Sequence, residues 1–266
     1  MRSHLVKVEG AGNDFLLGTG SWAQRLCDEA SLAIQLCDRR RGVGADGTLA
    51  VFVEGNSAIR LVHRNADGSA SAFCANGTRC AARAAVELLG LPRNLLVSTG
   101  WVEIPAVVRG TSVSLDLPPP TAPVDRALET DHGVWRGAHL TVGVPHFVAS
   151  VGDLDSPTIG VSGPCLRTHP DLGSKGANIH FVQARDDGSL GIRSFERGVE
   201  TEVLCCGSGV VAAALVGLGQ TGDRTITVVP RSGDRLVVET LSQAPEAPSR
   251  LTGPARLVAE IEPFDD

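Results

Sequence analysis

The chain contains little that could anchor a borrowed catalyst. Only two lysines occur, Lys7 and Lys175, and neither lies in a cofactor-like setting, so a Schiff-base cofactor such as pyridoxal phosphate has no evident attachment point. There is no Gly-Lys-Ser/Thr phosphate loop, and the "GVGADG" at 42–47 is a weak match to a dinucleotide fingerprint. The cysteines are not set as C-x-x-C with partner histidines, and the adjacent pair Cys205-Cys206 is poor ligand spacing, so no metal site is expected. No apolar run is long enough to cross a bilayer, and "MRSHLVKVEGAGNDF" lacks the apolar core of a signal peptide. A net charge of −6 and a pI near 5.6 give no support for binding nucleic acid or a membrane surface. The seven cysteines, odd in number and unevenly spaced, point to thiols in a reducing cytoplasm rather than to a disulfide framework.

What the chain does contain is length and internal repetition. Its 266 residues suffice for two domains, and 42% hydrophobic content supports a sizeable core. The proline-rich "LDLPPPTAPVD" at 115–125 reads as a stiff connector. A second such stretch, "SQAPEAPSRLTGP" at 242–254, precedes a strand-like "ARLVAEIEPF" that could return to either half. Cys206 follows Cys74 by 132 residues, and the same shift carries Gly77 to Gly209, Gly44-Ala45 to Gly176-Ala177 and Asp46 to Asn178. It also carries Phe15 to Phe147, Asp14 to His146, and Ala81-Ala82 to Ala213-Ala214. One ungapped register across several motifs implies a duplicated domain. The expected boundaries are 1–117, with 254–266 returning to it, and 118–253. The expected fold is α+β: two pseudo-symmetric domains, each a mostly antiparallel sheet or barrel wrapped round one central helix, with the active site in the cleft between them.

Each cysteine precedes a small polar turn, Ala-Asn-Gly or Gly-Ser-Gly, and then an alanine-rich helical run. A thiol at a helix start meets unpaired N–H groups and the positive end of the helix dipole, which should favour thiolate. The same N–H groups can hold a carboxylate. Two such sites acting on one small α-amino acid would suit a two-base epimerisation, one thiolate removing the α-proton and the other thiol supplying a new one. Cys27, Cys37, Cys80, Cys165 and Cys205 read as packing residues. A Cys-His hydrolase using His146 would leave the second cysteine without a role.

These residues resemble the diaminopimelate epimerase family. The matching pieces are "GAGNDF" (10–15), "RRRGVGADG" (39–47), "NADGSASAFCANGTR" (65–79), "GVPHFV" (143–148), "GANIHFV" (176–182) and "FERGVETEVLCCGSG" (195–209). The resemblance implies cofactor-independent inversion of one stereocentre between LL- and meso-diaminopimelate, serving lysine and peptidoglycan synthesis. It implies that Cys74 and Cys206 form the base–acid pair, with His146 and Glu196 as neighbours that tune a thiol by charge and hydrogen bonding. It implies substrate contacts from Asn13, Asn65, Asn76 and Asn178, backbone donors at Ala75, Asn76, Gly207 and Ser208, and a grip on the far amino and carboxylate groups from Glu196 and Arg197. It also sets Glu202, rather than Glu200, near the second helix start. The chain departs from the family pattern at Ala75, Gly47 and Val144, which keeps a racemase of another amino acid open. A silent binding or redox-responsive module is the alternative of a different class. The expected partner is a small amino acid, with no metal or cofactor, and the sequence leaves room for a homodimer.

Overall fold

The structure, a computed structural model, describes residues 3–242 and 247–263, so part of the second proline-rich stretch and the end of the chain lie outside the described residues. The chain divides into two compact units, one of Met1–Asp116 with Gly253–Asp266 and the other of Leu117–Thr252.

The first unit runs β1 (Leu5–Gly10), β2 (Asn13–Thr19), α1 (Ser21–Asp28), α2 (Ala30–Cys37), β3 (Gly47–Glu54), β4 (Ala58–Asn65), β5 (Ala70–Ser71), α3 (Ala75–Leu89), β6 (Asn94–Ser98), β7 (Glu103–Arg109) and β8 (Ser112–Leu117). The second runs β9 (Val124–Thr130), β10 (Gly133–Val142), β11 (Val144–Ser150), α4 (Pro157–Arg167), β12 (Asn178–Ala184), β13 (Leu190–Glu196), β14 (Thr201–Val203), α5 (Gly207–Thr221), β15 (Thr225–Val229), β16 (Leu236–Thr240) and β17 (Ser249–Pro254). The last strand, β18 (Arg256–Glu260), returns to the first unit and pairs antiparallel with β1.

Strand pairing repeats between the units. The first reads β18-β1-β2-β3-β4-β6-β7-β8, and the second reads β9-β10-β11-β12-β13-β15-β16-β17. β18 thus does for β1 what β9 does for β10: it satisfies an edge that would otherwise expose unpaired backbone groups. Most neighbours are antiparallel, but each unit holds two parallel pairs, β2–β3 and β4–β6 in the first, β11–β12 and β13–β15 in the second. A parallel pair needs a crossover, usually helical. α3 and α5 bridge β4–β6 and β13–β15 and form the central helices that the repeat predicts. α1 with α2, and α4, bridge the other two pairs. These outer helices are additional to the one-helix-per-half expectation.

The central helices are helical because alanine and leucine fill them between glycine stops. Each is 15 residues long, begins after an extended cysteine cap and ends at a left-handed glycine, Gly90 (φ 71°) or Gly222 (φ 77°). A non-glycine residue would be strained there. The first turns are buried all round, from Ala75 to Ala82 and from Gly207 to Leu215. Such a helix is a core element rather than a surface one. α3 touches β1, β2, β3, β4, β6, β7 and β18, and α5 touches β10, β11, β12, β13, β15 and β16. Strands facing them alternate as a half-buried strand should, for example Ile104, Ala106 and Val108 inward on β7.

A second apolar layer lies under the outer helices. Leu26, Leu32 and Leu36 pack with Leu5 and Leu16 in the first unit. Ile159 and Leu166 pack with Phe147, Phe181 and Phe195 in the second. α4 lies close on its sheet at Gly163, where a Cβ would fall 2.5 Å from the Phe195 ring. Cys37, Cys80 and Cys205 are buried, as packing residues should be. Burial pushes the thiols of Cys37 and Cys80 up to about 11 and about 12, which makes them inert. Cys165 corrects the packing assignment, because it is exposed on α4. Among the described residues, no helix is long and apolar enough to cross a membrane.

Candidate active site

In the first unit the site begins at the β1–β2 hairpin. Gly10 pairs with Asn13, and the two linking residues both have positive φ, Ala11 at 57° and Gly12 at 82°. Two such residues suit the right-handed twist of a two-residue hairpin. The Gly12 N–H donates to Glu9 Oε2 at 2.9 Å, which holds the turn. Gly10 lets β1 press on α3: a Cβ there would meet Asn76 O at 3.1 Å and Cys80 Sγ at 3.3 Å. The hairpin thereby delivers Asn13 to the start of α3. Asn13 Oδ1 lies 3.6 Å from Cys74 Sγ and accepts from Asn76 Nδ2 at 3.3 Å. Cys74 Sγ accepts the Gly77 N–H at 3.5 Å, an N-cap bond. The fully buried Arg79 donates to Asn76 Oδ1 at 2.8 Å and fixes that amide's orientation.

Behind Asn13 stands a charge cluster. Asn13 Nδ2 donates to Asp46 Oδ2 at 2.7 Å, so Asp46 in "GADG" orients the asparagine. Arg39 bridges Asp46 and Asp14 at 2.7 Å each, and Lys7 lies 2.6 Å from Asp14. Burial alone would raise the Asp14 carboxyl, but Arg39 and Lys7 outweigh it and hold it at about 2 against an ordinary 3.8. A native pKa below the unfolded one adds stability above pH 3.8 and loses it as pH falls through 2. Asp14→Asn should therefore cost about 1–2 kcal/mol at neutral pH, discounted for the exposed Arg39. Urea unfolding from pH 7 to pH 2 checks this; a stability gap that stays constant over that range contradicts the assignment.

Asn65 is placed differently from Asn13 and Asn76. It ends β4, and its Nδ2 donates to Ser69 Oγ at 2.9 Å, within its own turn. Ala75 is buried at the first position of α3.

In the second unit Cys206 is the extended residue before α5, and Gly207 and Ser208 open the helix. Their N–H groups have no acceptor within the helix. Ser208 Oγ lies 3.8 Å from Cys206 Sγ, and Asn178 Nδ2 lies 3.9 Å from it. Asn178 Oδ1 also accepts the Arg197 N–H at 2.8 Å, so one amide ties the thiol to the Glu196-Arg197 strand end. Arg197 lines a cavity of about 380 Å³ with Arg167, Thr168, Ser174, Lys175 and Gly176. Arg167 is paired with Glu200 at 2.7 Å. Glu202 is held by Arg193 through two bonds of 2.7 and 2.6 Å.

His146 is fully buried, and its bonds run to neighbours other than the thiol. Its Nε2 faces Val142 O at 3.4 Å, and its Nδ1 faces His180 Nε2 at 2.9 Å; His180 Nδ1 faces Ser194 Oγ at 2.9 Å. A carbonyl only accepts, so His146 Nε2 carries the proton. Nδ1 of a neutral His146 must then accept from His180 Nε2–H, and His180 Nδ1 must accept from the Ser194 hydroxyl. Burial pushes His146 down to about 3 and His180 well below its ordinary value. Both rings are neutral at physiological pH, which corrects the expectation that His146 tunes a thiol by charge. Burial likewise pushes Cys206 well above its ordinary value, and the nearby Glu196 adds to the rise. The Gly209 backbone and Ser208 pull the other way without prevailing. Burial therefore outweighs the pull of the helix start, against the thiolate expected at Cys206.

Asp46, Arg79, His180 and Ser194 were not singled out from sequence. His180 had a signal: it lies two residues after Asn178 on one strand, hence on the same face of β12.

A family model described as diaminopimelate epimerase matches residues 5–115 and 139–258. The chain is 34% identical over 258 residues to the diaminopimelate epimerase of Chlorobaculum tepidum, covering 94% of this chain and 97% of that one. It is 31% identical over 246 residues to that of Aquifex aeolicus, covering 88% of each. Among solved structures, a probable proline racemase from Agrobacterium radiobacter K84 superposes with a TM-score of 0.75 at 15% identity, covering 100% of this chain and 94% of that one. A hydroxyproline epimerase from Agrobacterium vitis gives 0.74 at 15% identity, covering 97% and 90%. These two likenesses establish the fold.

Proposed function

Because this chain belongs to the diaminopimelate epimerase family, we propose that it interconverts LL- and meso-diaminopimelate, with Cys74 and Cys206 as its two acid–base groups. The observation that carries this reading is the matched pair of helices: equal lengths, equivalent positions, each opened by an extended cysteine and a turn of small residues.

One thiolate takes the α-proton, and the opposite face of the carbanion receives a proton from the other thiol. As the proton leaves, charge moves into the substrate carboxylate. Backbone donors at Ala75, Asn76, Gly207 and Ser208 meet more charge in that state than in the ground state, which is how they speed the reaction. In one direction one cysteine acts as base and the other as acid, and reversal exchanges the roles. Asn13, Asn76 and Asn178 orient the reacting end, and Asn65 contributes from the β4 turn. Glu196 takes the far ammonium. Arg197 takes the far carboxylate, supported by Lys175 in the same cavity. His146 acts as a neutral packing and hydrogen-bonding group beneath Cys206. A thiol catalyst needs a reducing setting, and this supports a cytoplasmic location.

The test is α-proton exchange in deuterated water under reducing conditions. With LL-diaminopimelate, deuterium should enter the α-position and the meso isomer should appear. Exchange confined to another amino acid, proline included, would replace this substrate assignment. No exchange with any amino acid would reduce the chain to a binding module.

A further inference from the structure

We propose that Cys206, His146 and His180 form a binding site for a thiophilic divalent cation, zinc above all, and that its occupation blocks the Cys206 thiol. One ligand atom from each of the three side chains lies within 4.8 Å of the other two, and all three residues are buried. The set is two imidazoles and one sulfur, which suits zinc or cobalt and disfavours calcium or magnesium. Three protein ligands leave a fourth position for water.

The surroundings are those of a metal site. Ligating histidines are usually held by a hydrogen bond at the remote ring nitrogen, which sets tautomer and ring angle. Here His146 Nε2 faces Val142 O, and His180 Nδ1 faces Ser194 Oγ. The other two nitrogens, His146 Nδ1 and His180 Nε2, are 2.9 Å apart in a hydrogen bond that the cation would replace. The His180 ring has no room to retreat, because it lies on the start of α5: a Cβ on Gly209 would fall 2.1 Å from its Cε1. Tetrahedral zinc bonds of about 2.0 Å to nitrogen and 2.3 Å to sulfur set ligand atoms about 3.3–3.5 Å apart. With the His180 ring fixed, closing the triad requires the Cys206 and His146 side chains to shift by on the order of an ångström from the 4.8 Å limit.

The charges balance. The cation displaces the proton of the Cys206 thiol, which leaves to solvent. The proton on His180 Nε2 moves to Nδ1, and the Ser194 hydroxyl turns to accept it. Metal and thiolate together carry one positive charge, and the Glu196 carboxylate, whose field reaches Cys206, offsets it. The positive end of α5 opposes the cation, but a thiolate and a carboxylate outweigh half a unit charge. A sulfur held by zinc cannot exchange a proton with an α-carbon, so occupation should inhibit reversibly. That consequence, though not the binding itself, rests on the function proposed above.

The experiment uses the full chain reduced with a phosphine. Cobalt(II) titration should give a sulfur-to-metal charge-transfer band and the visible bands of a four-coordinate ion, at one equivalent per chain. Zinc should displace it. Cys206→Ser should lose the charge-transfer band, and His180→Asn should weaken binding about 100-fold or more. Ser194→Ala should weaken it roughly 10–100-fold through the lost outer bond; it also serves if His180→Asn fails to fold. A missing charge-transfer band in the wild type, or zinc affinity unchanged in Ser194→Ala and folded His180→Asn, would overturn the site. α-Proton exchange separates the two readings. Binding with loss of exchange, restored by chelator, supports both. Binding that leaves exchange intact supports the metal site and removes Cys206 from the reaction. Normal exchange with no binding removes the metal site alone.

Discussion

Cys206→Ser should lower turnover by about 100- to 10,000-fold, and Cys74→Ser should do the same. The reason is acidity rather than shape. A hydroxyl is nearly isosteric with a thiol, but it holds its proton far more tightly, so it neither removes an α-proton nor exists as an anion at neutral pH. The fold should not suffer. Both residues precede a helix in extended conformation, and Cys74 already accepts the Gly77 N–H at 3.5 Å. Serine is a better N-cap than cysteine. The expected signature is therefore a large loss of rate with an unchanged or slightly raised melting temperature. A rate loss accompanied by unfolding would indicate packing instead. Near-normal rates in either variant would remove that cysteine from the chemistry.

Gly209→Ala should destabilise the protein by about 1–3 kcal/mol, while Gly77→Ala should be close to neutral. The two glycines occupy equivalent places in the third position of α5 and α3. Helix propensity favours alanine at both by about 1 kcal/mol. The surroundings decide the sign. At Gly77 the new methyl would meet the flexible end of Leu49, Cδ2 at 3.0 Å. At Gly209 it would fall 2.1 Å from His180 Cε1 and 2.6 Å from Nε2. That ring is fastened on both sides, to His146 and Ser194, and cannot yield without breaking a buried bond. Thermal melts of the two variants test the contrast, at roughly 2–4 °C per kcal/mol for a domain of this size. Equal melting temperatures would show that His180 is less constrained than its bonds suggest.

The repeat was legible because duplication preserves register. α3 and α5 begin and end 132 residues apart, as the cysteine spacing foretells. Alternating strands and alanine-rich helices between glycines were legible for the same local reasons. The outer helices were harder to read. "SWAQRLCDEASLAIQLC" buries Ala23, Leu26, Leu32 and Leu36, but its need arises from the parallel pairing of β2 with β3, which no single segment displays. Asp46 reads as a turn residue beside a glycine. Only the fold sets it under Asn13.

The sequence by itself determined the arrangement on which the proposed chemistry rests: two sulfurs, each at the start of a helix, in two copies of one unit. Those are local facts, written in residue order and spacing. The tertiary structure alone decided the state of those groups. Burial pushes the Cys206 thiol up and the His146 ring down, and His180 and Ser194 belong to the same buried chain. A pKa depends on which atoms exclude water and which charges lie nearby, and strands distant in sequence supply both.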